Sequence, residues 1–479
     1  MMYSSDSARM PQALASRLGG QLIETHISWV ILTGGDAYKI KKPLRLPFVD
    51  YSSVGARHYF CNEELRLNRR LAPSLYVDVM PITDSVDAPV LGGNGPVLDY
   101  AVHMRRFPAG ALFVERVDAG TLQARDVDEL ADLLGSFHLH APRANPSRGY
   151  GSPALHRRSV VDALKGIEGM LTQAETQSLL SWIESQGALL ASLWVARAEQ
   201  GRVRECHGDL HLANLVRADT VLAFDCIEFD PALRWIDIMD DIAFPVMDFL
   251  AHGRRDFAYR LLNRWLDLTG DHASLAALAF GILYRALVRA QVAALRGDAE
   301  QARRYIDLAL ATLQKRQPCL IITCGLPGSG KTFQSQVLLE RRGAIRLRSD
   351  VERKRLFGLG PLDDSRAHGV ELYRADINAR TYEHLLELAA GALRAGYPVI
   401  LDAAFLRRSE RERARALAEA EGVAFHIVSC EAPLPLLRER LLARKGDASE
   451  ADIAVLERLA PIAEPLSDDE LALTLQPMP

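Results

Sequence analysis

Gly325-Leu326-Pro327-Gly328-Ser329-Gly330-Lys331-Thr332 put three glycines, a lysine and a hydroxyl into one short stretch. That mixture suits one chemistry, the cradling of a polyphosphate. Glycines let successive backbone N–H groups converge on phosphate oxygens. Lys331 is placed to reach the β- and γ-phosphates, and the Thr332 hydroxyl to ligate Mg²⁺. The apolar run 319–324 reads as a buried strand, and 333–339 as the start of a helix. Strand, glycine loop and helix are the context such a loop requires, and the helix N-terminus adds partial positive charge. Gly325, Pro327, Gly328, Ser329, Gly330, Lys331 and Thr332 are thus the expected nucleotide-binding residues, with ATP and Mg²⁺ as the expected cofactors.

The elements that follow must complete such a site. The apolar strand 398–402 ends in Asp402. In parallel sheets ligands gather at the carboxyl ends of strands, so Asp402 is expected to hold the metal with Thr332. Asp350 follows a short strand, 344–347, and is the expected acceptor of a substrate hydroxyl proton. Seven Lys/Arg lie between 341 and 355, against Asp350 and Glu352. Most are expected on a solvated helix face. Arg353, three residues after Asp350, is the one expected to touch substrate. Arg438, Arg440 and Arg444 precede Lys445-Gly446-Asp447. An arginine on a flap neutralises charge on a transferring phosphoryl group, and Arg444, closest to the glycine, is assigned that role.

A second constellation lies upstream, in Cys206-His207-Gly208-Asp209-Leu210-His211-Leu212-Ala213-Asn214 and then Val221-Leu222-Ala223-Phe224-Asp225. Asp209 and Asn214 are five apart, and Asp225 closes an apolar strand. The set suits metal-dependent phosphotransfer, in which one aspartate takes the substrate proton while an asparagine and a second aspartate hold Mg²⁺.

The HGDLHLANL segment is similar to the catalytic loop of aminoglycoside phosphotransferases and choline kinases, which share the protein-kinase fold. The resemblance spans about residues 20–310. It implies Asp209 as catalytic base, Asn214 as a metal ligand, Asp225 as the principal Mg²⁺ ligand and His207 as a loop-ordering residue. Asp241 corresponds to the aspartate that braces the catalytic loop. Lys39 is the expected ATP-side lysine, since alternation puts it on one face with Ala37; Lys41 shares that face and is the alternative. Its partner is expected to be Glu64 rather than Glu63, because Glu64 shares a helix face with Asn68 and Leu71. Residues 103–107 are the expected hinge against adenine. One departure stands out: Glu24-Thr25-His26-Ile27-Ser28-Trp29 occupies the place of a glycine-rich loop.

The C-terminal part, about 319–460, resembles the small P-loop kinases, a group that includes gluconate and shikimate kinases, polynucleotide kinases and zeta toxins. GLPGSGKT, SDVERK, ILDAAFLRRSER and ARKGDASEA carry that resemblance. The expected fold class is therefore an α+β protein-kinase-like bilobal domain followed by an α/β three-layer P-loop NTPase domain with a parallel sheet. The expected boundaries are 1–110 for the N-lobe, 111–317 for the helical C-lobe and 318–479 for the P-loop kinase domain. Gln317-Pro318 marks the last junction, because proline limits helix continuation and a strand starts at once.

Composition agrees with this organisation. A chain of 479 residues exceeds one ordinary core. Hydrophobic residues at 48% and charged residues at 25% fit a soluble globular protein. A net charge of −4 supplies no global field for nucleic acid. Six scattered cysteines without a C-x-x-C pair imply free thiols in a reducing cytoplasm. Residues 1–6 lack a signal-peptide pattern. The most apolar run, 275–292, is interrupted by Tyr284, Arg285 and Arg289, so no membrane span is expected. The expected partner is a small-molecule acceptor. Three rivals remain: an N-terminal domain that is a nucleotide-binding regulator, a nucleic-acid end kinase in the C-terminal domain, and an ATPase switch without acceptor.

Overall fold

The computed structural model describes residues 8–46, 49–444 and 446–476. Residues 1–6, read above for a signal peptide, and Lys445 of the expected flap lie outside them. The chain forms two compact units. One comprises Met1–Leu133, Phe137–Leu155 and Ser192–Pro245; the other comprises Leu134–Ser136, His156–Ala191 and Val246–Pro479.

The first unit is built on a six-stranded antiparallel sheet. Its strands are β1 (Gln21–Glu24), β2 (Ser28–Leu32), β3 (Asp36–Lys41), β4 (Tyr76–Ser85), β5 (Ala88–Leu91) and β6 (Val97–Arg105), in the order β1-β2-β3-β6-β4-β5. The Gly92-Gly93-Asn94-Gly95 cluster offers a turn between two long strands, β4 and β6. It instead follows β5, which pairs with β4 in a hairpin of its own. Alternation of buried Trp29, Ile31 and Ile40 with half-exposed neighbours leaves one sheet face against Leu14 and Ala15 of α1 (Arg9–Leu18). Helix α2 (Val54–Asn68) starts at Ser53, whose side chain accepts from Ala56 N–H. Its Cys61 packs into a cluster with Tyr76, Val102, Val216 and Leu222. The strand pair β7 (Leu215–Arg217) and β8 (Val221–Ala223) is antiparallel and follows the HGDLHLANL loop directly.

The second unit carries a four-stranded, wholly parallel sheet. Its strands are β9 (Cys319–Cys324), β10 (Ile345–Arg348), β11 (Val399–Asp402) and β12 (Ala424–Ser429), in the order β10-β11-β9-β12. The run Cys319–Cys324 is buried at every position, as a central strand covered on both faces must be. Crossover helices begin at Lys331, Ser349 and Arg408.

The helices before Pro318 belong to this packing. Asn263, in the helix Arg255–Thr269, sets its amide against the free edge of β10. Its Nδ2 donates to Ala344 O at 2.9 Å, and Arg346 N–H donates to its Oδ1 at 2.6 Å. Those two bonds satisfy backbone groups that an edge strand would otherwise leave unpaired. Gly343 has φ 66° and lies over the Tyr259 ring, which a Cβ there would meet at 2.8 Å. Buried Glu352 faces His272 at 3.2 Å and Arg355 at 3.1 Å, and Arg355 donates to Asp267 O at 2.6 Å. The proline junction therefore divides helix from strand in sequence but not in packing. The helix His272–Leu295 is long and apolar enough to cross a membrane by length and composition, and 72% of its apolar window is buried inside the protein. Arg285 and Arg289 are among its buried residues.

Candidate active sites

The C-terminal site forms around the glycine loop. Gly325, Gly328 and Gly330 have φ of 148°, 84° and 96°, backbone that L side chains rarely adopt. At Gly325 space also forbids a side chain, because a Cβ would lie 2.2 Å from Cys430 O. Lys331 opens the helix Lys331–Arg342 and folds back so that Nζ donates to Gly325 O and Leu326 O, both at 2.9 Å. Burial pulls its ammonium below the ordinary lysine value, with Asp402 and Asp350 opposing that pull. Ser329 is buried with an unpartnered Oγ. Asp402, at the end of β11, lies 3.0 Å from Ser335 Oγ, whose one proton is shared between this carboxylate and Thr332 O.

A cavity of about 850 Å³ opens in front of this loop. Pro327, Gly328, Gly330, Lys331 and Thr332 line it, and so do Asp350, Asp402 and Arg444. Burial alone would raise the Asp350 carboxyl. Arg353, Ser449, Arg348 and Lys331 outweigh it and hold the group below the usual carboxylate range. Arg353 Nη1 donates to Asp350 at 2.5 Å and Nη2 to Asn378 at 3.2 Å, with the guanidinium over the Tyr373 ring. Arg444 lies in the same cavity with a buried, unpartnered Nη1. Arg440 donates to Gly328 O, whereas Arg438 turns away to Glu457.

The basic cluster 341–355 lies only in part on the expected solvated face, where Arg341 and Arg342 are exposed. Arg346, Arg353 and Lys354 are buried. Arg346 donates to Gln336, and Lys354 pairs with Glu450 at 2.9 Å. Those cations are turned inward because carboxylates and carbonyls inside the unit replace their water.

The N-terminal site is held by side chains rather than by a loop. Lys39 Nζ lies 2.8 Å from Glu64 Oε1 and 2.5 Å from Asp225 Oδ1. Lys41 takes the other Glu64 oxygen at 2.7 Å and also pairs with Glu228. One carboxylate thus serves both lysines, but only Lys39 faces Asp225. Burial lowers both ammonium groups, and the facing carboxylates more than reverse this, so both end well above the ordinary value. Burial likewise raises Glu64, while Lys39 and Lys41 bring it down to about 2. Glu63 instead pairs with Arg66.

Asp225 is a non-glycine residue at φ 63°, a strained conformation of the kind found at functional sites. Its N–H donates to the Tyr76 hydroxyl at 3.2 Å, and the next N–H, of Cys226, donates to Asn68 Oδ1 at 2.8 Å. Asn214 Nδ2 donates to both Asp209 O and Asp209 Oδ2 at 3.0 Å, which leaves its Oδ1 for a cation. His207 Nδ1 accepts from Asp209 N–H, so Nε2 carries the proton donated to Phe224 O. Burial lowers His207, in keeping with that neutral tautomer. Asp241 receives His207 N–H, Gly208 N–H and His138 Nε2 within 3.0 Å. Burial would raise Asp241, and these contacts bring it down to about 2. In place of a glycine loop, Thr25 and Ser28 close a short turn, and Lys42 donates to Thr25 O at 2.6 Å.

Two groups escaped the sequence reading. Glu228 neutralises Lys41 and accepts the Tyr51 hydroxyl at 2.6 Å. Tyr373 and Asn378 frame Arg353. The signal for Glu228 was its place three residues after Asp225 in one short run; Tyr373 and Asn378 had none, as they come from a distant segment.

The thiols of all six cysteines are free and buried. His138, Cys206 and Asp241 place ligand atoms within 4.8 Å of one another. Asp241 already receives three donors there, so this cluster reads as a brace.

Comparison with known proteins agrees with both halves. Residues 60–278 match the model of the phosphotransferase enzyme family, and residues 320–466 match that of an AAA domain. Uncharacterized protein Rv2004c of Mycobacterium tuberculosis (strain H37Rv) is 30% identical over 452 residues, which cover 91% of this chain and 89% of that protein. Uncharacterized protein Mb2027c of Mycobacterium bovis shows the same figures. Among solved structures, a gluconokinase from Sinorhizobium meliloti 1021 is 20% identical, covering 33% of this chain and 82% of its own, with TM-score 0.25. A choline/ethanolamine kinase family protein from Mesorhizobium loti is 11% identical, covering 64% and 99%, with TM-score 0.39. The chain belongs to the family of these mycobacterial proteins, a kinase-type phosphotransferase in which a phosphotransferase enzyme domain precedes a P-loop kinase-like domain.

Proposed function

We propose that the chain is a magnesium-dependent phosphotransferase with two ATP sites, moving the γ-phosphoryl group to a hydroxyl of a small molecule. The observation that carries this reading is the C-terminal cavity, where Lys331, Thr332, Asp402, Asp350 and Arg444 share one concave wall. The loop N–H groups and Lys331 hold the β- and γ-phosphates, and Thr332 and Asp402 ligate Mg²⁺. The acceptor hydroxyl gives its proton to Asp350 as its oxygen bonds to the γ-phosphorus. The bond from that phosphorus to the bridging oxygen breaks, and ADP leaves. Arg444 and Lys331 offset the charge that spreads over the transferring group. Asp209, Asn214, Asp225 and Lys39 supply the corresponding parts in the N-terminal site.

Six free, buried thiols support a reducing compartment such as the cytoplasm. The test is transfer from γ-labelled ATP across metabolite pools and RNA, with wild type, Lys331→Ala and Asp209→Ala side by side. Loss of a product in Lys331→Ala supports the C-terminal assignment, and wild-type transfer of every product in that variant defeats it. A second product lost only in Asp209→Ala supports an active N-terminal site. Full transfer by Asp209→Ala favours the regulatory reading, toward which the short Thr25–Ser28 turn already points.

A further inference from the structure

Seven arginines and Lys331 line the C-terminal cavity, against four carboxylates, Asp350, Asp402, Glu410 and Asp447. The magnesium complex of ATP, a net dianion, offsets about half of that excess. The remaining positive charge is not beside the phosphate loop. Lys331, Arg440 and Arg444 serve that end. Arg353, Arg374 and Arg407 line the same cavity as Asp350, and Arg374 also pairs with Asp376 at 3.1 Å on its exposed side. Arg353 bonds to Asp350 and to Asn378, which lies in the first turn of the helix Ala375–Arg394 that Arg374 precedes. Another turn on, Tyr382 accepts Phe405 N–H at 3.0 Å and so ties down the loop that ends in Arg407. Phe405 is held at φ 43°, in the left-handed region. Arg353 is buried within this wall and keeps an unpartnered Nε.

Resting on the phosphotransfer reading above, we propose that the C-terminal acceptor is an anionic alcohol. It would be a small molecule whose carboxylate or phosphate is held by Arg353, Arg374 and Arg407, with its hydroxyl at Asp350. A planar guanidinium recognises either anion by paired, charge-assisted hydrogen bonds. A nucleic-acid backbone would need a cationic track beyond the cavity. Four of the arginines outside are paired with acids: Arg394 with Glu421, Arg408 with Glu412, Arg415 with Glu419 and Arg438 with Glu457.

Calorimetric titration of the full chain tests this without turnover. The probes are gluconate, glycerate, glycerol 3-phosphate and glucose 6-phosphate, their neutral counterparts, and a 5′-hydroxyl oligonucleotide. At least one acid should bind roughly tenfold or more tightly than its neutral counterpart. Arg353→Gln and Arg407→Gln should each weaken that acid roughly tenfold to a hundredfold. Arg353→Lys, which keeps the charge but not the fork, should fall between. The proposal is overturned if no acid binds, if neutral partners bind equally well, if the glutamine variants keep full affinity, or if the oligonucleotide alone binds. Titration of magnesium-ATP is read separately. Failure there removes the kinase reading while the acid series still reports on the arginines.

Discussion

The two sites solve one problem with different materials. In the C-terminal site the groups proposed to hold phosphate are backbone N–H groups from one loop, set by glycines at positive φ between a buried strand and a helix. In the N-terminal site the groups are side chains from β3, α2, the 207–214 loop and the residues after β8, joined by ion pairs over long sequence separations. A contiguous loop tolerates little change within it but needs few distant partners. A salt-bridged site depends on every partner being present, since each buried charge is balanced by another.

The comparison is broken most decisively at Lys331. Lys331→Ala should reduce phosphoryl transfer at the C-terminal site by at least ~100-fold, read as kcat/KM with labelled ATP. The fold should persist, because Lys331 bonds only to carbonyls of its own loop. Glu64→Gln should instead act on stability. It removes the charge shared by Lys39 and Lys41 and should cost about 3–5 kcal/mol in denaturant unfolding. A Glu64→Gln protein as stable as wild type would remove the contrast between the two designs.

Asn263→Ala sharpens the comparison from the other side. It unpairs Ala344 O and Arg346 N at the edge of β10, which leads into Asp350. The expected loss is about 1–3 kcal/mol, with a higher KM for the acceptor than for ATP. Equal changes in both KM values would show that the helix Arg255–Thr269 does not position Asp350.

The smallest effect expected is on acid stability. Asp241 titrates near 2 in the folded chain, below the ordinary aspartate value. A depressed folded value means that its stabilisation is complete above the unfolded pKa. It is lost as pH falls toward 2. The shift is worth roughly 2 kcal/mol. Asp241→Asn should flatten that part of the stability profile, measured by unfolding between pH 5 and pH 2.

Legibility follows the same contrast. The phosphate loop could be read from adjacent residues, and Asp350 and Asp402 from the rule that ligands gather at strand ends. Lys39 and Glu64 followed from periodicity on a strand and a helix. Glu228 had only its nearness to Asp225 as a signal and was passed over, because its need arises only when Lys41 is buried beside Glu64. The inward turn of Arg346 and Lys354 was misread as a solvated face, because a run of cations does not show which acids stand opposite.

Local residue order settled the strand–loop–helix unit and the parallel character of its sheet, since those depend on short-range sterics and period. Three-dimensional packing settled the partners of the buried charges and the docking of 255–274 on β10 and Glu352. Desolvated charges and unpaired edge groups must find complements wherever the chain brings them, and sequence distance says nothing of that.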